Sequence, residues 1–331
     1  MKNHHRIRRR VLLVLGCMAA WPGAGAFAES SPPAWPSRPI TIIVANPPGS
    51  ATDTLARIAA EGLSAALKQP VIIDNKPGAQ GIIGVQAFKS RQGDDHTLIV
   101  SFSGLNSSNP WLFKEQKYHY RDDFTHIVPL VRAPSLLLVN ADAAWHSLAQ
   151  LLQAARKDPA RLAYAYGQAT SQVMGGAFNH AGGFPELRGI PYRGQPQALT
   201  DLMGGRVDFM FADLSVSQPF VAAGKLRALG ISTQARSSLM PQVPTLQEQG
   251  LVDYDLAAWV GLSGPRGMSP AQVERVNRVV SQYFASAPVR QRIAQLGFTP
   301  LEASPQEFGR FVEREYEQWG RAIEAAGIDP L

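Results

Sequence analysis

Ile40-Thr41-Ile42-Ile43-Val44-Ala45-Asn46-Pro47-Pro48-Gly49-Ser50-Ala51-Thr52-Asp53 is the stretch that decides the fold. Its first six residues form a β-branched apolar run, the pattern of a buried strand. Pro47-Pro48-Gly49 stops that run. Leu55, Ile58, Ala59, Leu63, Ala66 and Leu67 then recur at helical spacing. A strand, a tight loop of small residues and a helix start leave backbone N–H groups turned outward. Such a place suits an anion without any Lys or Arg.

Working outward, the same order returns. Val71-Ile72-Ile73-Asp74 is a second strand, and Asn75-Lys76-Pro77-Gly78-Ala79-Gln80-Gly81 turns into a helix carrying Ile82, Ile83, Val85 and Phe88. Thr97 to Ser101 is a third strand, ending in the small polar loop Ser103-Gly104-Leu105-Asn106-Ser107-Ser108-Asn109. Ile127 to Leu130 and Leu136 to Val139 are further strands. Ser147 with Gln150 makes a capping box, ahead of an apolar face at Leu148, Leu151, Leu152 and Ala155. Leu162 to Tyr166 is a strand running through Gly167-Gln168-Ala169-Thr170-Ser171-Gln172 into a helix, which repeats the opening arrangement. Ile190 to Gly194 leads to a helix with Ala198, Leu199, Leu202 and Met203. Strands follow at Val207 to Ala212, ending at Asp213, at Leu226 to Ile231 and at Ala257 to Leu262. Ser269-Pro270-Ala271-Gln272 and Ser304-Pro305-Gln306-Glu307 each place Ser at a cap, Pro at the first helical position and Gln or Glu three after the cap. The stripes behind them, Val273, Val276, Val280 and Phe284, and Phe308, Phe311, Val312, Trp319 and Ile323, predict core packing. Alternating strands and helices predict right-handed βαβ units and a largely parallel sheet.

Composition narrows the function. The 331 residues, 45% hydrophobic and 18% charged, are those of an ordinary globular chain with room for two domains. The net charge of +6 is local, since Lys2, Arg6, Arg8, Arg9 and Arg10 lie in a leader without acids. Without residues 1–28 the chain has 27 basic and 26 acidic residues, so the basic balance is no argument for nucleic acid. That leader reads as a secretory signal: a basic start, an apolar run from Val11 to Leu15 extended through Met18-Ala19-Ala20, and Ala26-Phe27-Ala28 as the cleavage site. The run falls short of the roughly 20 residues that span a bilayer. A lipoprotein box at Val14-Leu15-Gly16-Cys17 ranks second. Cleavage after Ala28 removes the one cysteine, and with it any disulfide, thiolate nucleophile or cysteine metal site.

Catalytic patterns are missing from the sequence. There is no Gly-x-Ser-x-Gly, His-Glu-x-x-His or Gly-x-x-x-x-Gly-Lys. His96, His119, His126, His146 and His180 are scattered, and the glycines of Gly78 to Gly84 are misspaced for a dinucleotide fingerprint. Asp94-Asp95 and Asp122-Asp123 are acidic pairs of the kind usual in solvated loops. No catalytic residue, metal or cofactor is assigned. What remains is a set of strand ends carrying Gly, Ser, Thr, Gln and Asp, where open α/β sheets bind ligands.

These residues carry a family resemblance over nearly all of the mature chain. Trp35-Pro36-Ser37-Arg38-Pro39-Ile40, Pro47 to Asp53, Asp74-Asn75-Lys76-Pro77-Gly78-Ala79 and Pro191-Tyr192-Arg193-Gly194 come in order. Leu202-Met203-Gly204-Gly205-Arg206-Val207-Asp208-Phe209-Met210-Phe211, Ala223 to Leu229, and Val243-Pro244-Thr245 with Glu248 and Gly250 follow. The chain resembles the extracytoplasmic solute receptors of the tripartite tricarboxylate transporter system, the Bug-type receptors. The resemblance implies an α/β type II periplasmic binding protein: two α/β lobes with a ligand cleft and a two-segment hinge. Lobe one would take 36–134 and 256–331, and lobe two 135–255. It implies a monomer in the periplasm that captures a small carboxylate (a di- or tricarboxylate, an acidic amino acid or an aromatic acid) for the permease subunits, or for a sensor protein instead. By position, the ligand residues would be Pro48, Gly49, Ser50, Ala51, Thr52 and Asp53, then Ser103 and Gly104, then Thr170, Ser171 and Gln172, with Gly194 and Asp213. Asp53 has two roles open to it, a helix-start charge or an acceptor for ligand or water. The chain departs from the family's usual residues at Asn46, Ser50, Asp95-His96, Val173 and Ala212-Asp213. A secreted α/β hydrolase on a carboxylate ester is the alternative from another class, and it needs a nucleophile–base pair.

Overall fold

A computed structural model describes residues 35–330, except 116, 185, 186, 193 and 253. The apolar run, Cys17 and the Ala26-Phe27-Ala28 site lie outside the described residues. No helix among the described residues is long and apolar enough to cross a membrane.

The opening stretch forms β1 (Ile40–Val44) and α1 (Ala51–Leu67). Ser50 is extended, and its hydroxyl accepts from Asp53 N, which fixes where α1 starts. Lys68 ends the helix in the left-handed region, at φ 58°. Then come β2 (Val71–Asn75), α2 (Ile82–Lys89) and β3 (Thr97–Phe102). A π turn, Gly104–Ser108, replaces the loop expected after β3 and runs into α3 (Asn109–Leu112). After β4 (Phe124–Ala133) the chain crosses at Pro134 to a second sheet and its helices. There follow β5 (Ser135–Asn140), α4 (Leu148–Lys157), β6 (Ala163–Tyr166), α5 (Ala169–Gly182), β7 (Arg188–Pro191), α6 (Gln195–Met203), β8 (Phe209–Asp213), α7 (Leu214–Ala222) and β9 (Leu226–Ile231). The return is by β10 (Ala258–Pro265), followed by α8 (Pro270–Ala285), α9 (Ala287–Gln295), β11 (Thr299–Pro300) and α10 (Pro305–Ala325).

Two sheets result, ordered β11-β4-β10-β3-β1-β2 and β7-β6-β8-β5-β9. Each is the centre of one α/β lobe. The sheets are mixed rather than largely parallel. β1 pairs in parallel with β2 and β3, and β6 with β7 and β8. The strands that carry the chain between lobes break the pattern. β4 leaves lobe one and β10 re-enters it beside β4, so the two run in opposite directions. β5 enters lobe two, and β8 and β9 lie antiparallel against it.

Each lobe has its own core. In lobe one, Ile40, Ile42 and Val44 pack with Leu55, Ile58 and Leu63 of α1 and with Val273, Val276 and Val280 of α8. Gly62 permits that helix contact, since a Cβ there would lie 2.5 Å from the Tyr283 ring. In lobe two, Leu137, Val139, Phe209 and Phe211 pack on one face, while Leu136, Leu138, Met210 and Ala212 pack on the other. The last helix serves both. Phe308 and Val312 of α10 cover Trp259 and Tyr120 of lobe one. One turn and more further on, Trp319 and Ile323 are buried with Phe178, Phe209 and Phe211 of lobe two.

Candidate functional site

Pairing of β1 with β3 sets the loops after both strands side by side at one sheet edge. In the first loop Pro48, Gly49 and Ala51 are exposed, Ser50 is half-buried, and Thr52 and Asp53 are buried. Gly49 sits at φ +79°, which only a residue without Cβ adopts easily, and Ser50 N closes the turn on Pro47 O at 3.2 Å. Ser50 Oγ takes Asp53 N and lies 3.1 Å from Thr52 Oγ1. The N–H groups of Ala51 and Thr52 remain as first-turn amides with no helix carbonyl to bond.

Asp53 holds this loop in shape. Its Oδ2 accepts from Gly49 N and Arg57 Nε, each at 2.9 Å, and its Oδ1 accepts from Arg57 Nη2 and Asn75 Nδ2, each at 3.0 Å. Burial alone would raise its pKa. The bonds from Arg57, Gly49 and Asn75 outweigh burial and hold the carboxyl below its usual range. Four N–H groups on two oxygens favour the first of its two roles, fixing the helix start. Asp53→Ala is therefore expected to cost about 2–3 kcal/mol, with Arg57 discounted for its exposure. Urea unfolding at pH 7 measures this, and a loss below about 0.5 kcal/mol would show that the loop holds itself.

Ser103 is buried, and its Oγ accepts from Trp259 N at 3.4 Å. Gly104, partly buried, begins the π turn, which packs against both α5 and α10. This turn is thus where the loops of lobe one meet lobe two.

In lobe two the strand ends converge on Asp213. Gly167 and Gly194 lie back to back: a Cβ on Gly167 would sit 2.4 Å from the Gly194 carbonyl carbon. Tyr192 N donates to Tyr166 O at 2.8 Å, tying the two loops. The Gln195 side chain accepts from Asp213 N at 3.3 Å. Burial pushes the Asp213 carboxyl up, partly offset by hydrogen bonds from Gln195, Gln168 and Ser135. At the start of α5, Ser171 Oγ donates to Gln168 O at 2.9 Å and accepts from Gln168 N at 3.3 Å. Its hydroxyl proton is committed to that cap. Thr170 and Gln172 are half-buried on the same first turn.

The expected residues therefore fall into two groups, Pro48 to Asp53 with Ser103 and Gly104, and Thr170 to Gln172 with Gly194 and Asp213. Sequence reasoning passed over Asn75 and Arg57 around Asp53, and Ser135, Gln168 and Gln195 around Asp213. Gln168 stood directly before a helix start in a quoted loop, the one signal of its role.

Two other clusters are filled from within. Asp94, Asp95 and His96 bring possible metal-ligand atoms within 4.8 Å of one another. Their partners are already present: Arg38 and Thr97 on Asp94, Gln272 on Asp95, and Ser37 N on His96. The acidic pair is a latch for the N-terminal arm. Ser263 Oγ lies 3.0 Å from His126 Nδ1, with His126 Nε2 3.1 Å from Tyr120 O. A nucleophile–base pair would look like this, but Ser263 is wholly buried in the sheet and also bonded to Ser101 at 2.7 Å.

Comparison with known proteins follows the same lines. The family profile described as TctC, tripartite tricarboxylate transporter family receptor, matches residues 55–328. The UPF0065 protein in the tcbD-tcbE intergenic region of Pseudomonas sp. (strain P51) is 34% identical, over 96% of this chain and 94% of its own. Protein BugT of Bordetella pertussis is 31% identical, over 96% of this chain and 98% of its own. Among solved structures, R. palustris Rpa4515 with adipate superposes with a TM-score of 0.80 at 31% identity, covering 90% of this chain and 100% of its own. MatC of Rhodopseudomonas palustris with bound malate gives 0.75 at 29% identity, covering 87% and 99%.

Proposed function

Since the chain belongs to the tripartite tricarboxylate transporter receptor family, we propose that it is a periplasmic solute-binding receptor that closes on a small carboxylate and delivers it to the permease subunits of such a transporter. The observation that carries this is the pair of strand–loop–helix starts, at α1 and α5, one from each lobe. Each offers first-turn amides and small hydroxyls to a ligand oxygen: Ala51 and Thr52 on one side, Thr170 on the other. Helix starts attract an anion by about 0.3–1 kcal/mol when exposed and more when covered. Asp53 and Ser171 act behind them by fixing the loop and the cap. Burial raises the pKa of the Asp213 carboxyl, partly offset by its hydrogen bonds, which weakens its opposition to a bound anion. Solved relatives that carry adipate and malate support the ligand class. In the same proposal the leader is removed after Ala28, Cys17 leaves with it, and the lobes divide at 134–135 and 255–256 with α10 lying over both. The mature protein acts as a monomer.

Thermal unfolding of the purified mature chain against a panel of small carboxylates and neutral analogues tests this. At 100 times its dissociation constant a true ligand stabilises by about 2.7 kcal/mol, several degrees for a chain of this size. A panel in which a neutral compound raises Tm and no acid does would overturn the carboxylate assignment.

A further inference from the structure

The chain passes between its two sheets at Pro134 and at Ala257, and the two passages run side by side. Ala133 is paired with Ala258, and Arg132 with Trp259. One group of charges sits at that place. Arg132, two residues before the first passage, lies 3.5 Å from Asp255, two residues before the second. Its other Nη lies 3.5 Å from Glu315, midway along α10. Gln318 of α10 donates to the Asp255 carbonyl, and Trp319 donates to Glu315 Oε2. Both passages and the helix that packs on both lobes are thus joined through a single guanidinium.

The group is not filled as a purely structural one is. Arg132 Nε, Asp255 Oδ1 and the indole Nε1 of Trp259 have no hydrogen-bond partner, and Trp259 is fully buried. Both ion contacts are longer than the roughly 2.7–2.9 Å of a tight charge-assisted bond. A buried network that serves stability alone satisfies its members.

Glu315 is 4% exposed, and burial raises its carboxyl to about 7. The charges that act on it most are Arg132, Asp255 and Arg314. Of the elements packed on α10, β4 also carries His126, α5 carries His180, and α8 carries Glu274, Arg275, Arg278 and Tyr283. The π turn and α3 carry no ionisable side chain. His126, lowered to about 4, stays neutral near pH 7. A charged Glu315 cannot part from Arg132 without stranding a buried carboxylate. A protonated one gives up only a hydrogen bond.

We propose that Arg132, Asp255 and Glu315 form a proton-released latch on the two passages: ionised Glu315 holds α10 to Arg132 and fixes the lobes against each other, and protonated Glu315 frees them. The motion concerned is the closing on a carboxylate argued above, so the ligand half of this inference rests on that reading. The latch itself does not.

Paired spin labels test the latch without a ligand. Gln86→Cys in α2 and Gln153→Cys in α4, both exposed, put one label on each lobe, and the chain from Glu29 onward has no other cysteine. The distribution of distances between them is expected to be narrow at pH 8.5 and at least about twice as wide at pH 6. The change should be centred on about 7. In Glu315→Gln the distribution is wide at both. Glu313→Gln, an exposed neighbour paired with Arg121, keeps the parent's response. Stopped-flow release of succinate, glutarate or adipate tests the ligand half. Dissociation in the parent is expected to be at least about threefold faster at pH 6 than at pH 8.5, and Glu315→Gln to lose that dependence. Asp213 and the acid's own carboxyls titrate in both proteins, so the difference between them isolates Glu315. Equal widths at the two pH values in the parent, or an unchanged response in Glu315→Gln, overturn the latch whatever the protein binds. A latch that responds in a chain that binds no carboxylate stands, and the receptor reading falls alone.

Discussion

Trp319→Ala is expected to lower the unfolding free energy by about 3–5 kcal/mol, the range for a large aromatic truncated in a core. Trp319 is fully buried, and its place explains the size of the effect. It sits on α10 but packs in the core of lobe two with Phe178, Phe209 and Phe211. Its indole Nε1 donates to Glu315 Oε2 at 3.1 Å, so truncation also strips a buried carboxylate of a donor. Nearby, Trp111 Nε1 donates to Tyr316 O at 2.9 Å, and Gly320 leaves room for the Trp111 ring. The cavity would open where α10 passes from one lobe to the other. Chemical unfolding at neutral pH measures it, and a cost under about 1 kcal/mol would mean that α10 is only draped over lobe two.

The second large effect is a dependence on pH centred on Glu315. Arg132 lies between two carboxylates, 3.5 Å from Asp255 and 3.5 Å from Glu315. Burial pushes the Glu315 carboxyl up to about 7, against the opposing pull of Arg132 and the Trp319 hydrogen bond, while Asp255 raises it further and Arg314 lowers it. An acid whose folded pKa exceeds its unfolded one makes the fold bind more protons than the open chain. Between the ordinary value of 4.5 and about 7, stability therefore falls as pH rises. Glu315→Gln removes that slope. Relative to the parent, the variant should gain up to about 3 kcal/mol between pH 4 and pH 8, an upper bound since water and Arg132 screen the charge. His126 acts in the opposite sense. Burial lowers it from 6.5 to about 4, so its contribution is present above 6.5 and is lost as pH falls toward 4. In the parent the two slopes oppose each other between 4.5 and 6.5, and in Glu315→Gln the opposition from Glu315 is gone. Melting curves from pH 4 to 8 on both proteins decide this. A difference between them that stays constant across the range would rule out titration of Glu315.

Much of the fold was legible because its signals are local. The apolar run from Ile40, the break at Pro47-Pro48-Gly49 and the Ser caps at 50, 147, 269 and 304 each act within a few residues, and each appears where its pattern lies. Strand direction is not local. β4 and β10 run opposite because the chain visits another lobe for more than a hundred residues between them, and nothing in the strands themselves records that. α9 carries no apolar stripe in the sequence, since only Val289 and Ile293 of its residues are buried.

The candidate site divides in the same way. Its loops were visible as small polar residues at strand ends. The work done by individual side chains was not, because it depends on partners distant in sequence. Asp53 meets Asn75, 22 positions away, and Asp213 meets Ser135 across the β5–β8 pairing.

Among the described residues all eleven strands lie before residue 301, and α10 follows them. Residues 305–325 lie against Trp259 at one end and Phe209 at the other, so one helix ties the two cores together. The final helix works as a splint, with Glu315 at its midpoint, so any rotation of one lobe against the other must bend it or slide it there. Any movement between the two sheets would therefore load this one helix at its centre as well as the crossings at Pro134 and Ala257.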